Sequence, residues 1–260
     1  MLDVRWRPDG TGRSEFARGH VPSATYLDWH ATLSAPGPGD QGLMLAAPDR
    51  IAEALSAAGI GNGSTVVVYD DTASLYAARA WWSLRACGLE SVRILNGGFG
   101  AWTGSGRPVS HAAGEHAAEH FTARAAVAVR LTTADVQALL GSPDAQLIDA
   151  RSDLEFRGLQ GIGGRLGHLP GAISLPAGTT TEIGTQHFLD GGALRSLLAT
   201  AGVVRGRRLV CYDTLGIGAA KLAFVLTLMG HDNVAVYDGG WTEWAAHADL
   251  PLERELAGRR

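Results

Sequence analysis

The chain has 260 residues, 46% of them hydrophobic and 18% charged, enough to bury a substantial core as one large domain or two small ones. Its 22 Lys and Arg against 26 Asp and Glu leave a formal net charge of -4, so there is no concentrated basic face of the kind that nucleic-acid phosphates require. No stretch approaches the roughly 20 apolar residues that span a bilayer. The opening MLDVRWRPDG has no apolar core of signal-peptide length, and the sequence reads as soluble and cytoplasmic. Its two cysteines, Cys87 and Cys211, lie far apart, which indicates neither a disulfide framework nor a metal site. No cofactor is expected.

In chain order, LDVRW from Leu2 is the first expected strand end, and GHVPSA from Gly19 is a turn. TVVVY at residues 65–69 and VRIL at residues 92–95 are continuous apolar runs, which suits parallel strands covered on both faces. Between them, residues 75–89 carry apolar side chains at helical spacing, with Gly88 placed to end the helix. LNGGFGAW from Leu95 begins a last helix. Residues 109–126, rich in Ala, His and Glu without an apolar period, read as a linker. The same order then returns: LIDAR from Leu147, GHLPGA from Gly167, RLVCY at residues 208–212, and VAVY running into YDGGWTEW from Val234. Tyr69-Asp70 pairs with Tyr212-Asp213, and Gly97-Gly98 with Gly239-Gly240. An internal repeat of βαβ units gives two domains, 1–108 and 127–260, joined by the linker.

This order of motifs resembles the tandem-domain rhodanese family, the thiosulfate and 3-mercaptopyruvate sulfurtransferases. The resemblance implies an α/β fold of two rhodanese-like domains, each a mainly parallel sheet flanked by helices, with the first domain noncatalytic. In the family a helix and a further strand usually precede LDVRW, so an upstream start is expected. The implied chemistry uses a cysteine at the end of the second domain's central strand. It takes a sulfane sulfur from a small anionic donor and passes it on as a persulfide. A six-residue loop, C-x-x-G-x-x, turns its amides onto the sulfur like an anion nest at a helix start.

The match places Asp213 at that cysteine, followed by Thr214, Leu215, Gly216, Ile217 and Gly218. A carboxylate does not carry sulfane sulfur. It does fit the same amides as a built-in anion. The resemblance also sets an arginine just before Phe156, where this chain has Glu155, and a lysine or serine where it has Leu215. The site has lost a cation and gained carboxylates that repel an anionic donor. Arg157 is a possible donor-binding residue or else a solvated surface arginine, and Arg151 is expected to make a structural contact. His20 and Asp9 match an acid–histidine pair of mercaptopyruvate users, although Leu215 removes its serine partner; the other reading of His20 and His168 is a histidine bonding backbone within its turn. Cys211, two residues before Asp213, is expected to be a buried small hydrophobe, and Cys87 to be core.

The leading expectation is a catalytically degenerate sulfurtransferase. The alternatives are an active enzyme using Cys211, Asp213 acting as a carboxylate nucleophile toward a phosphoryl group, and a binding or regulatory scaffold whose loop mimics an anion. The protein partner is not specified by the sequence.

Overall fold

The computed structural model describes residues 1–37, 43–112, 114, 116–125, 127–161 and 164–254. The chain forms two compact units. The first comprises Met1–Ala35, Leu45–Val127 and Thr181–Leu189; the second comprises Pro36–Met44, Ala128–Thr180 and Asp190–Arg260.

The first unit is built on a four-stranded parallel sheet in the order β2-β1-β5-β6. Its strands are β1 (Leu2–Asp3), β2 (Thr25–Tyr26), β5 (Val66–Tyr69) and β6 (Val92–Ile94); β3 (Ser34–Pro36) and β4 (Leu43–Leu45) form a separate two-stranded pair outside this sheet. The helices are α1 (Gly12–Arg18), α2 (Trp29–Leu33), α3 (Pro48–Ala57), α4 (Leu75–Ala86) and α5 (Gly98–Gly104). The second unit has a five-stranded parallel sheet in the order β7-β11-β10-β8-β9. Here β7 is Arg130–Leu131, β8 Ala145–Asp149, β9 Ile173–Ser174, β10 Arg208–Tyr212 and β11 Val234–Tyr237. Its helices are α6 (Thr133–Leu139), α7 (Asp153–Phe156), α8 (Gly191–Thr200), α9 (Ile217–Leu228) and α10 (Gly240–Ala246).

The repeat read from the sequence reappears as repeated local physics. Gly88 and Gly230 both adopt left-handed φ, +91° and +80°, and close the long helices α4 and α9. In each case the next amide bonds back across the last turn, Leu89 N to Leu84 O at 3.0 Å and His231 N to Leu226 O at 3.1 Å. α4 accordingly ends at Ala86, just before Gly88, the glycine expected to end it.

A buried network anchors each central strand end. In the first unit Arg5 donates to both carboxylate oxygens of Asp3 and to Gly19 O, and Tyr69 Oη donates to Asp3 at 2.7 Å while accepting from Val21 N. The second unit repeats it with Arg151, Asp149, Gly167 O, Tyr212 and Leu169 N. Arg151 also lies over the Trp241 ring, 4.5 Å from its centroid, so the expected structural contact is what the structure contains. Burial and the neighbouring Asp149 push the Tyr212 hydroxyl well above its ordinary pKa, which keeps it a donor.

The paired glycines hold the last helix of each unit against the strand end. Phe99 N donates to Asp70 O at 2.8 Å, and Trp241 N to Asp213 O at 2.7 Å. Gly240 has φ +57°, and a Cβ there would lie 2.5 Å from Asp213 O and 2.9 Å from Thr214 O. Gly240→Ala is therefore expected to cost about 2 to 4 kcal/mol, from left-handed strain plus overpacking. Urea denaturation checks this, and a loss below about 1 kcal/mol would mean that the turn relaxes freely.

Candidate functional site

The loop from Asp213 to Gly218 connects the end of β10 to the start of α9. Asp213 follows Tyr212, whose side chain is locked in the buried network, so the backbone direction at Asp213 is fixed from behind. Gly216 is the residue before the helix and has φ +78°. That conformation turns its amide and that of Gly218 back toward the strand end. Asp213 Oδ1 accepts from Gly216 N at 2.5 Å and Oδ2 from Gly218 N at 2.8 Å. A Cβ on Gly218 would sit 3.0 Å from Oδ2, so glycine there admits the carboxylate. Asp213, Thr214 and Leu215 are partly exposed, Gly216 is buried, and Ile217 opens the helix.

Glu155 is drawn to this loop. Its Oε2 accepts from Ser152 N at 3.1 Å and Ser152 Oγ at 2.6 Å, while Ser152 Oγ accepts from Glu155 N. This is a reciprocal capping box at the start of α7. The remaining oxygen, Oε1, accepts a long bond of 3.4 Å from Thr214 Oγ1. The capping role was not anticipated, although Ser152-x-x-Glu155 is its sequence signature. Arg157 is 3.7 Å from Asp153 one turn away, a weak surface pair with the arginine side chain 42% exposed.

His20 and Asp9 stand apart. His20 is fully buried, with Nδ1 at 2.9 Å from Phe16 O, Nε2 at 3.0 Å from Ala112 O, and its ring stacked on Phe16 at 3.8 Å. His168 repeats this against Phe156, with Nδ1 2.7 Å from Phe156 O and the rings 3.8 Å apart. Asp9 is exposed and accepts from the amide and hydroxyl of Thr11. Among the described residues no hydrogen bond or ion pair joins Asp9 to His20.

The first unit holds a closer version of the same nest. Asp70, at the end of β5, accepts from Thr72 N and Ser74 N on Oδ1 and from Tyr76 N and Ala77 N on Oδ2, all at 2.8–3.0 Å. It is 1% exposed. Burial raises its pKa, and the four amides oppose that rise. Asp70 and Asp213 are thus equivalent carboxylates that satisfy the start of the following helix, Asp70 through the amides of Thr72, Ser74, Tyr76 and Ala77 and Asp213 through those of Gly216 and Gly218.

Both thiols are buried, Cys87 at 1% and Cys211 at 0% exposure. Burial, and secondarily the Asp213 charge, pushes the Cys211 thiol far up. Iodoacetamide is expected to leave both cysteines unmodified in the folded protein and to label both in urea, read by intact mass. Labelling of Cys211 without denaturant would show an opening that the structure lacks. Among the described residues no group of three or more His, Cys, Asp or Glu is arranged to hold a metal ion, and no helix is long and apolar enough to cross a membrane.

The family model for the rhodanese-like domain matches residues 1–105 and again 132–247. The chain belongs to the rhodanese family. It is 35% identical over 268 residues to a putative thiosulfate sulfurtransferase, SseB, of Mycobacterium tuberculosis H37Rv, covering 99% of this chain and 91% of that protein. It is 31% identical over 260 residues to the 3-mercaptopyruvate sulfurtransferase of Escherichia coli K12, covering 97% of this chain and 91% of the relative. Among solved structures, an EanB variant in complex with ergothioneine superposes with a TM-score of 0.87 at 25% identity. This chain is covered over 99% of its length and spans 64% of that one. The two-domain α/β rhodanese architecture and the kinship with thiosulfate and 3-mercaptopyruvate sulfurtransferases are therefore established for this chain.

Proposed function

We propose that this protein keeps the two-domain sulfurtransferase scaffold without a persulfide carrier, and works as a binding module rather than as a sulfur-transfer enzyme. The observation that carries the proposal is the Asp213 carboxylate seated on the amides of Gly216 and Gly218. In the mechanism implied by the family resemblance those amides serve a cysteine sulfur. Here they are spent on an oxygen anion that forms no stable bond to sulfane sulfur. The second carboxylate, Glu155, is held beside the loop by Ser152 and Thr214, which disfavours an anionic donor. Asp70 supports the same reading, since the first unit uses an aspartate in this place to complete a helix start.

The nearest thiol, Cys211, is fully buried in β10 with its thiolate disfavoured. The names of the relatives define the test. The purified chain is incubated with thiosulfate or 3-mercaptopyruvate, with and without cyanide, and assayed for thiocyanate and by intact mass. No thiocyanate above the protein-free rate and no added sulfur are expected. A sulfur adduct removed by Cys211→Ser would overturn the proposal in favour of an enzyme that opens its strand.

A further inference from the structure

Residues 116–124 run along the first unit and are tied to it at Ser56, Asn62 and Cys87. Phe121, 2% exposed, donates its amide to Ser56 Oγ at 3.0 Å, and Glu119 N donates to Ser56 O at 3.2 Å. Arg124 N donates to Cys87 O at 2.9 Å. Between these contacts Asn62 clasps Thr122 twice: its Nδ2 donates to Thr122 O at 2.8 Å and its Oδ1 accepts from Thr122 N at 2.9 Å. An amide side chain supplies both a donor and an acceptor, whereas a carboxylate supplies acceptors alone. Asn62 precedes Gly63 in an exposed turn closed by Ser64 N on Gly61 O at 3.1 Å. A Cβ at Gly63 would meet nothing within 4 Å, and among the described residues the Gly63 amide donates to no protein acceptor.

Asparagine is a thermolabile residue, and a following glycine lets the next backbone nitrogen reach its side-chain carbon. We infer that Asn62-Gly63 is a deamidation site, and that its conversion irreversibly releases the segment ending at Arg124 from the first unit. The bonds to Thr122 lie at the surface, where local opening costs little, and opening frees the side chain to cyclise. Gly63 N attacks Asn62 Cγ, and the side-chain nitrogen leaves as ammonia with the Gly63 proton. Water then opens the succinimide to aspartate or isoaspartate. Either product turns a carboxylate toward Thr122 O, so the donated bond is lost and replaced by repulsion. Isoaspartate also adds a methylene to the main chain of the turn. The other Asn-Gly pair, Asn96-Gly97, is held differently. Gly97 is buried with φ +75°, a Cβ there would lie 2.6 Å from Ala101 Cβ and 2.8 Å from His187 Nε2, and Asn96 Oδ1 accepts from Phe188 N at 2.8 Å. That packing keeps the Gly97 nitrogen from turning onto the Asn96 side chain.

In the test, the full chain is held at mildly alkaline pH and followed by peptide mapping. A gain of about 1 Da, the change from amide to acid, is expected at Asn62 while Asn96 stays intact. Gly63→Ala, whose methyl has open space in the fold, should slow that gain about tenfold or more. Limited trypsin digestion reads the release. The aged chain and the Asn62→Asp variant should both be cut after Arg124 about tenfold faster than the fresh chain, while aged Gly63→Ala keeps the slow rate. Three results would each overturn the inference: Asn62 intact over a period in which the urea-unfolded chain converts, Asn96 converting as fast as Asn62, or conversion at Asn62 without faster cleavage after Arg124.

Discussion

Replacing Asp213 with cysteine should give the chain a thiol that takes up a sulfane sulfur. The substituted thiol would stand at the end of β10, where the amides of Gly216 and Gly218 and the start of α9 favour an anion. Exposure to thiosulfate should then add about 32 Da, the mass of one sulfur, to Asp213→Cys alone. Turnover to thiocyanate should stay low while Glu155 keeps a like charge beside the loop. Glu155→Gln in the same background removes that charge and preserves the capping box with Ser152, since glutamine serves there equally. It should raise kcat/KM for thiosulfate about tenfold, equivalent to roughly 1.4 kcal/mol, with the gain shrinking at high salt. Lack of any adduct on Asp213→Cys would show that more than the nucleophile has been lost.

Asp149→Asn should strongly destabilise the second unit. Arg151 is buried and donates to both oxygens of Asp149 at 2.6–3.1 Å, with Gly167 O as its other acceptor. The amide leaves that guanidinium uncompensated in the core, which costs about 3 to 5 kcal/mol, a large share of the 5 to 15 kcal/mol typical of folded domains. Urea denaturation reads the loss. The double variant Asp149→Leu/Arg151→Met, which removes both charges, should lose less than Asp149→Asn alone. A cost below about 1 kcal/mol for Asp149→Asn would mean that the pair contributes little to the fold. Asp3→Asn probes the same arrangement around Arg5 in the first unit.

Particular residues show what could be read in advance. The apolar runs at residues 66–69 and 208–212 are strands because both faces of a parallel sheet are covered, and a run of Val, Leu and Tyr has no other stable place. Gly88 announced the end of α4 because few other residues adopt its left-handed φ at so little cost. The family resemblance set Asp213 at the cysteine position, and the repeat paired it with Asp70. That a carboxylate there suits the loop amides was legible; which amides it meets was not, because that depends on where Gly216 and Gly218 stand after the chain has turned. The tie between Glu155 and Thr214, 59 residues apart, was hidden for the same reason.

The sequence by itself determined the family, the parallel α/β architecture, the repeat and the absence of a cysteine after Tyr212. Those properties are written in local periodicity, in glycines that turns require, and in residue identity. Only the tertiary structure decided that Asp70 is sealed by four amides while Asp213, bonded to the amides of Gly216 and Gly218, stays partly exposed. It chose for His20 the reading of a histidine set against backbone carbonyls, and placed β6 at the edge of its sheet among the described residues where β11 is a covered strand. Hydrogen-bond satisfaction and burial belong to groups distant in sequence, and they are fixed only when the chain brings those groups together.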